Sequence, residues 1–242
     1  LDVPENLKTM RLKLFSVWLF SLIITTTASA QNDENWQSKD YNVGDFSAVT
    51  LDGSFRVYLI QGDEYGIKVK SNNSDAFDNI KINNYGGKVT ISINQSIFDY
   101  SRISLYITFK TLSELHIEGG VNLKTNGYLD LTDFAVNVEG GANIELNCKA
   151  RQVKVVGEGG FIFELKGVAE TLDVSISGAG HVSASDLKTD NVKFNVRGFG
   201  TGSVYAVNTL NVKLEGVGML KYKGNPKVTE SIDGLGSVKP LN

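Results

Sequence analysis

From Leu115 onward the chain repeats itself, and that periodicity restricts the fold more than any other feature. Seven units follow one another: "LHIEGGVNL", "VNVEGGANIEL", "VKVVGEGGFIFEL", "VSISGAGHVSA", "FNVRGFGTGSVYA", "VKLEGVGMLKY" and "SIDGLGSVKP". Aligning Ile117, Val138, Val155, Ile176, Val196, Leu214 and Ile232 gives spacings of 21, 17, 21, 20, 18 and 18 residues. A period near twenty is that of a solenoid, too short for a propeller blade. One coil offers about four inward apolar side chains, worth roughly 1.5–3 kcal/mol each, against roughly 1–2 kcal/mol of backbone entropy per residue. No coil folds alone, so neighbours must stack. Strands without helices point to an all-β fold: a parallel β-helix with about 20 residues per coil. Right-handed winding is expected, because parallel crossovers favour it.

Within a unit, apolar positions keep a period of two, as in Leu172, Val174, Ile176, Gly178, Gly180, Val182 and Ala184. The glycines share this inward parity. They read as corners where a Cβ would meet the coil interior or where the bend needs positive φ. The corner set is Gly119, Gly140, Gly159, Gly178, Gly180, Gly198, Gly200, Gly216, Gly218, Gly234 and Gly236. Nineteen of the 25 glycines lie after residue 112, so the chain before it is of another kind. Residues 46–112 read as an all-β N-terminal portion, either early coils or a cap. Its strands are "FRVYLIQG", "YGIKVKS", "NIKINNYGGKVTISI" and "RISLYITF", with Gly86-Gly87 at a hairpin turn.

Residues 1–30 are set apart from the fold. Arg11 and Lys13, an apolar run from Leu14 to Ile24 and Ala28-Ser29-Ala30 form the three parts of a secretory signal, with an extension before Met10. The mature chain is expected to start near Gln31, with 31–45 as its N-terminal segment and 113–242 as the repeats. Export is expected, to the periplasm, the outer-membrane surface or the outside; the competing reading is a retained membrane anchor. The sole cysteine, Cys148, is far from the leader, so the usual lipoprotein signal is missing and no intramolecular disulfide forms. A net charge of −3 without a Lys/Arg run argues against a nucleic-acid partner.

The candidate chemistry is sparse. The glycine turns lack the helix or the Lys-Ser/Thr of a phosphate loop. His116 and His181 have outward parity, several coils apart, and read as surface residues, while Cys148 has inward parity and reads as a small buried hydrophobe. Glu118, Glu139, Glu215 and Asp233 precede the corner glycines, with Ser177 and Arg197 at the same place in two units. Adjacent rungs are about 4.8 Å apart, so Glu118 and Glu139 could hold a cation or form a solvated ladder. No catalytic set, metal site or cofactor is expected. The middle corner residues Ala179, Phe199, Val217 and Leu235, with Met219 beside them, would stack into an outer apolar strip roughly 14 Å long, unless the corner turns them inward. An exposed strip would be a partner or self-association surface.

The Gly-Ala-Gly turn after "VSIS", the related "GVG" and "GLG", the "GNP" at Gly224 and the opening "FSAVTLDGSFRVYLIQGDEYGIKV" resemble the auto-transporter adhesin family named for its head GIN domain, exported proteins of the Bacteroides group. The likeness spans about Phe46 to Val238, although Gly-Ile-Asn itself is replaced by Gly120-Val121-Asn122 and Gly141-Ala142-Asn143. The resemblance implies a parallel β-helix without the catalytic residues of pectin lyases, a role in adhesion and a homotrimer. The function expected is therefore an exported, non-catalytic binding module at the cell envelope with an unknown protein or glycan ligand. The alternatives are a β-helical polysaccharide enzyme, which needs clustered Asp/Glu with Arg/Lys on three neighbouring coils, and an envelope sensor.

Overall fold

Alternating apolar and polar residues become strands through nearly all of the chain, because only a pleated backbone sends successive side chains to opposite faces. The computed structural model describes residues 36–93 and 103–241. The expected leader, residues 1–30, lies outside them. The elements are β1 (Gln37–Tyr41), β2 (Ala48–Gln61), β3 (Gly66–Ser71), α1 (Ala76–Asn79), β4 (Ile80–Tyr85), β5 (Lys88–Ile93), β6 (Ile103–Phe109), β7 (Glu114–Thr125), β8 (Leu129–Asp130), β9 (Asp133–Lys223) and β10 (Lys227–Pro240). The fold is all-β apart from the four-residue α1. Among the described residues no helix is long and apolar enough to cross a membrane.

The strands form one ten-stranded sheet, ordered β1-β3-β6-β2-β7-β9-β10 along its main path. From β2 to β10 every pairing on that path is parallel. The register is set by the glycines: Gly53 faces Gly119, Gly119 faces Gly140, and Gly216 faces Gly234. β9 runs for 91 residues and brings its own successive segments together, since a Cβ on Gly159, Gly178 or Gly198 would lie 2.5–2.7 Å from the carbonyl oxygen of Gly140, Gly159 or Gly178. The column Gly119, Gly140, Gly159, Gly178, Gly198, Gly216 and Gly234 therefore steps by 21, 19, 19, 20, 18 and 18 residues.

This register corrects one alignment made from the repeat pattern. Gly157, not Val155, stands level with Val138 and Ile176, two residues before its column glycine like them. An apolar side chain has no room there, because a Cβ on Gly157 would lie 1.9 Å from Cε1 of Phe161. The Phe161 ring takes the interior volume that the other units fill from the strand.

Residues 46–112 carry strands of both directions. β2 pairs in register with β7 over Ala48–Leu59, while β5 lies parallel to its first half and β6 to its second. β3 and β1 continue antiparallel from β6, and β4 pairs antiparallel with β5 across Gly86 and Gly87, both at positive φ. Such a turn matches the right-handed twist of a hairpin. The core runs the length of the stack, with Phe109, Phe134, Phe163 and Phe194 fully buried. β10 has a strand on only one side among the described residues, which leaves Ile232 39% exposed where Leu214, one rung earlier, is buried.

Candidate binding groove

Each of the last four units carries two corner glycines whose sites are built differently. The first column has positive φ, from 117° at Gly198 to 141° at Gly178, a region that L side chains avoid. The second column, Gly180, Gly200, Gly218 and Gly236, lacks positive φ but is cramped from inside. A Cβ on Gly180 would lie 2.5 Å from Phe161 Cζ, and one on Gly200 would lie 2.6 Å from the Val196 methyls. The first column thus meets backbone of the preceding rung, and the second meets core side chains of its own or the preceding rung.

The second column forms the floor of a groove of about 800 Å³. One lip is Ala179, Phe199, Val217 and Leu235; the other is Ile162, His181, Thr201, Met219 and Ser237. The strip residues point outward, with Phe199 65%, Val217 42% and Leu235 75% exposed. Ala179 and Met219 are exposed too. Ala142 and Phe161 occupy the floor position of earlier rungs and line the groove there. Among the described residues no Asp, Glu, Lys or Arg lines it. The repeat pattern reveals the strip but not Ile162, Phe161 or Ala142, because the misplaced third unit hides their alignment with it.

His181 sits in the groove wall, its Nδ1 2.8 Å from Thr201 Oγ1. His116 is remote in sequence and half-buried, with Nε2 2.7 Å from Glu118 Oε1 and 3.9 Å from Glu139. Glu118 and Glu139 are in register, and the same column holds Asp52 and Glu158, neither singled out by the repeat pattern. Among the described residues no group of three His, Cys, Asp or Glu side chains is placed to hold a metal ion. Farther along, Glu215 accepts a hydrogen bond from Arg197 at 3.1 Å and pairs with Lys213 at 2.5 Å. Lys213 first and Arg197 second hold its carboxyl below the usual carboxylate range. That contribution is present above the ordinary carboxylate range and is lost as pH falls through the lowered value.

Cys148 is fully buried, and burial alone pushes its thiol up to about 11. Thiolate is the reactive form, so iodoacetamide at pH 8 is expected to label the native protein at least tenfold more slowly than the urea-unfolded chain. Equal labelling rates, followed by intact mass, would contradict the burial.

In-register parallel strands bearing an apolar surface groove define an all-β protein with a repeated backbone. The chain belongs to the family described as "Putative auto-transporter adhesin, head GIN domain", whose model matches residues 45–226. Among solved structures, a "putative adhesin" from Bacteroides fragilis NCTC 9343 is similar with a TM-score of 0.79 and 20% identity, covering 85% of this chain and 97% of its own. A "putative adhesin" from Parabacteroides distasonis ATCC 8503 aligns with a TM-score of 0.66 at 23% identity, covering 86% and 98%. A "putative lipid binding protein" from the same organism aligns with a TM-score of 0.68 at 20% identity, covering 87% and 98%. These likenesses show a shared fold. No curated protein matches the chain.

Proposed function

We propose that the chain is an exported, non-catalytic binding module of the cell envelope that works in adhesion. The observation carrying this reading is the exposed, uncharged strip of Phe199, Val217, Met219 and Leu235 beside the glycine floor. Exposed contiguous apolar surface usually marks an interaction site. Family membership supports adhesion and an exported or surface location. The backbone is read as a right-handed parallel β-helix over 113–242, with the column glycines as its corners and 46–112 as its opening portion. Parallel pairing at steps of 18–21 residues supports that reading. The ligand is a protein or glycan of the surface being bound, and a homotrimer is the assembly proposed.

A second reading, a polysaccharide enzyme, draws on Arg197, Lys213 and Glu215, with Asp233 in register with Glu215 on the next rung. Glycoside hydrolysis needs one carboxyl with a raised pKa as general acid. Glu215 is shifted the other way and its oxygens are engaged by two cations, which favours a structural ion pair. The binding module is the stronger reading.

The test is the double variant Phe199→Asp/Val217→Asp, screened with the parent protein against immobilised glycans and matrix proteins, with mass followed by light scattering. Buried aromatic anchors carry about 2 kcal/mol or more of a typical interface, so binding or self-association is expected to weaken at least about 30-fold with circular dichroism unchanged. Unchanged mass together with unchanged binding would overturn the proposal, and turnover of a polysaccharide would favour the enzyme.

A further inference from the structure

The groove is one residue wide. Its floor is the single file Gly180, Gly200, Gly218 and Gly236, and each rung contributes one side chain to either lip. From Gly180 to Gly236 the trough crosses three rung intervals, about 14 Å. Beyond Gly180 the buried Phe161 takes the floor position, and at the other side the floor reaches Gly236 on β10. A stable protein interface needs about 800 Å² from each partner. A trough one residue wide and three rungs long supplies far less, while its volume of about 800 Å³ is that of a small-molecule site. A linear apolar occupant fits inside it, and a larger partner would have to contact the surface around it as well.

Charge beside the Gly236 end gives that linear occupant a polar head. Lys221 and Lys239 face each other in register, two residues beyond Met219 and Ser237 on the same two strands. Both are exposed, on the outward face that those lip residues share. Neither joins an ion pair among the described residues. Beyond the opposite lip the cations at hand, Arg197 and Lys213, are already paired with Glu215, and Asp233 stands beside it on the next rung. An anionic head is therefore drawn to the Lys221 and Lys239 side.

We infer that the groove binds one long-chain fatty acid, its hydrocarbon chain lying along Gly180, Gly200, Gly218 and Gly236 and its carboxylate held by Lys221 and Lys239. About a dozen carbons, each C–C bond of about 1.5 Å advancing an extended zigzag chain by roughly 1.25 Å, match the length of the floor. The inference goes beyond the adhesive reading: the fatty acid lies in the trough itself, while the exposed lip side chains remain the surface offered to a protein or glycan.

The test titrates the purified chain with octanoate and laurate below their micelle concentrations, using calorimetry. Saturable one-to-one binding of laurate is expected. Full burial of a methylene is worth about fourfold in affinity and half-burial about twofold, so laurate should bind at least about tenfold more tightly than octanoate. Phe199→Asp should weaken laurate at least tenfold. Lys221→Gln/Lys239→Gln should weaken laurate about three- to tenfold and leave dodecanol unchanged. The lysine pair is exposed and Phe199 is 65% exposed, so circular dichroism should stay that of the parent. Absence of saturable laurate binding, equal affinity for octanoate and laurate, or sedimentation with phosphatidylglycerol vesicles but no uptake of monomeric laurate would each overturn it. If laurate fails while Phe199→Asp/Val217→Asp still abolishes glycan or matrix binding, the adhesive reading stands and only the ligand assignment falls.

Discussion

Gly198→Val is expected to cost at least about 3 kcal/mol, a large share of the 5–15 kcal/mol that stabilises a typical domain. Two penalties coincide there. The φ of 117° lies where L residues are strained by roughly 1–2 kcal/mol, and a β-branched side chain does worse. The new Cβ would also lie 2.6 Å from the carbonyl oxygen of Gly178, so it cannot be accommodated by rotating a side chain. Two rungs must separate, and the parallel pairing between them weakens. Gly160→Ala is the control: it has no positive φ and nothing within 4 Å of its Cβ, and should stay within about 0.5 kcal/mol of the parent. Urea unfolding of both variants measures the contrast. Equal midpoints would show that the glycine column does not set the rung spacing.

Gly157→Ala is expected to cost about 2–3 kcal/mol, because its Cβ would overlap Phe161, whose ring packs edge-on against Phe163 at 5.6 Å. Phe161→Ala alone should cost about 3–5 kcal/mol by emptying the same volume. The double variant relieves the overlap. Its loss should therefore fall short of the sum of the two single losses by at least about 1 kcal/mol, as measured by a double-mutant cycle in urea. Additivity to within about 0.5 kcal/mol would mean that Gly157 and Phe161 do not share one interior site.

This pair also marks the limit of what the repeat pattern reveals. Where each unit supplies its own interior side chain, as at Ile117, Ile176, Val196 and Leu214, alternation reports the inward face directly, and those residues are buried. The third unit delegates that volume to Phe161, so counting apolar residues shifts it by two positions and hides Glu158 and Ile162. The excursion through β3, α1, β4, β5 and β6 hides β2 as the in-register neighbour of β7, since Gly53 and Gly119 stand 66 positions apart. Parity through Ala179, Phe199, Val217 and Leu235 makes one lip legible. The opposite lip and the floor depend on register between rungs, which no single unit contains.

Hydrogen–deuterium exchange of the free and ligand-bound chain tests the binding surface most directly. Occupancy of the groove is expected to protect peptides around residues 179–181, 199–201, 217–219 and 235–237, one patch per rung, with residues 36–93 unchanged. Protection confined to residues 36–93, or to the carboxylate column at Asp52, Glu118, Glu139 and Glu158, would contradict it.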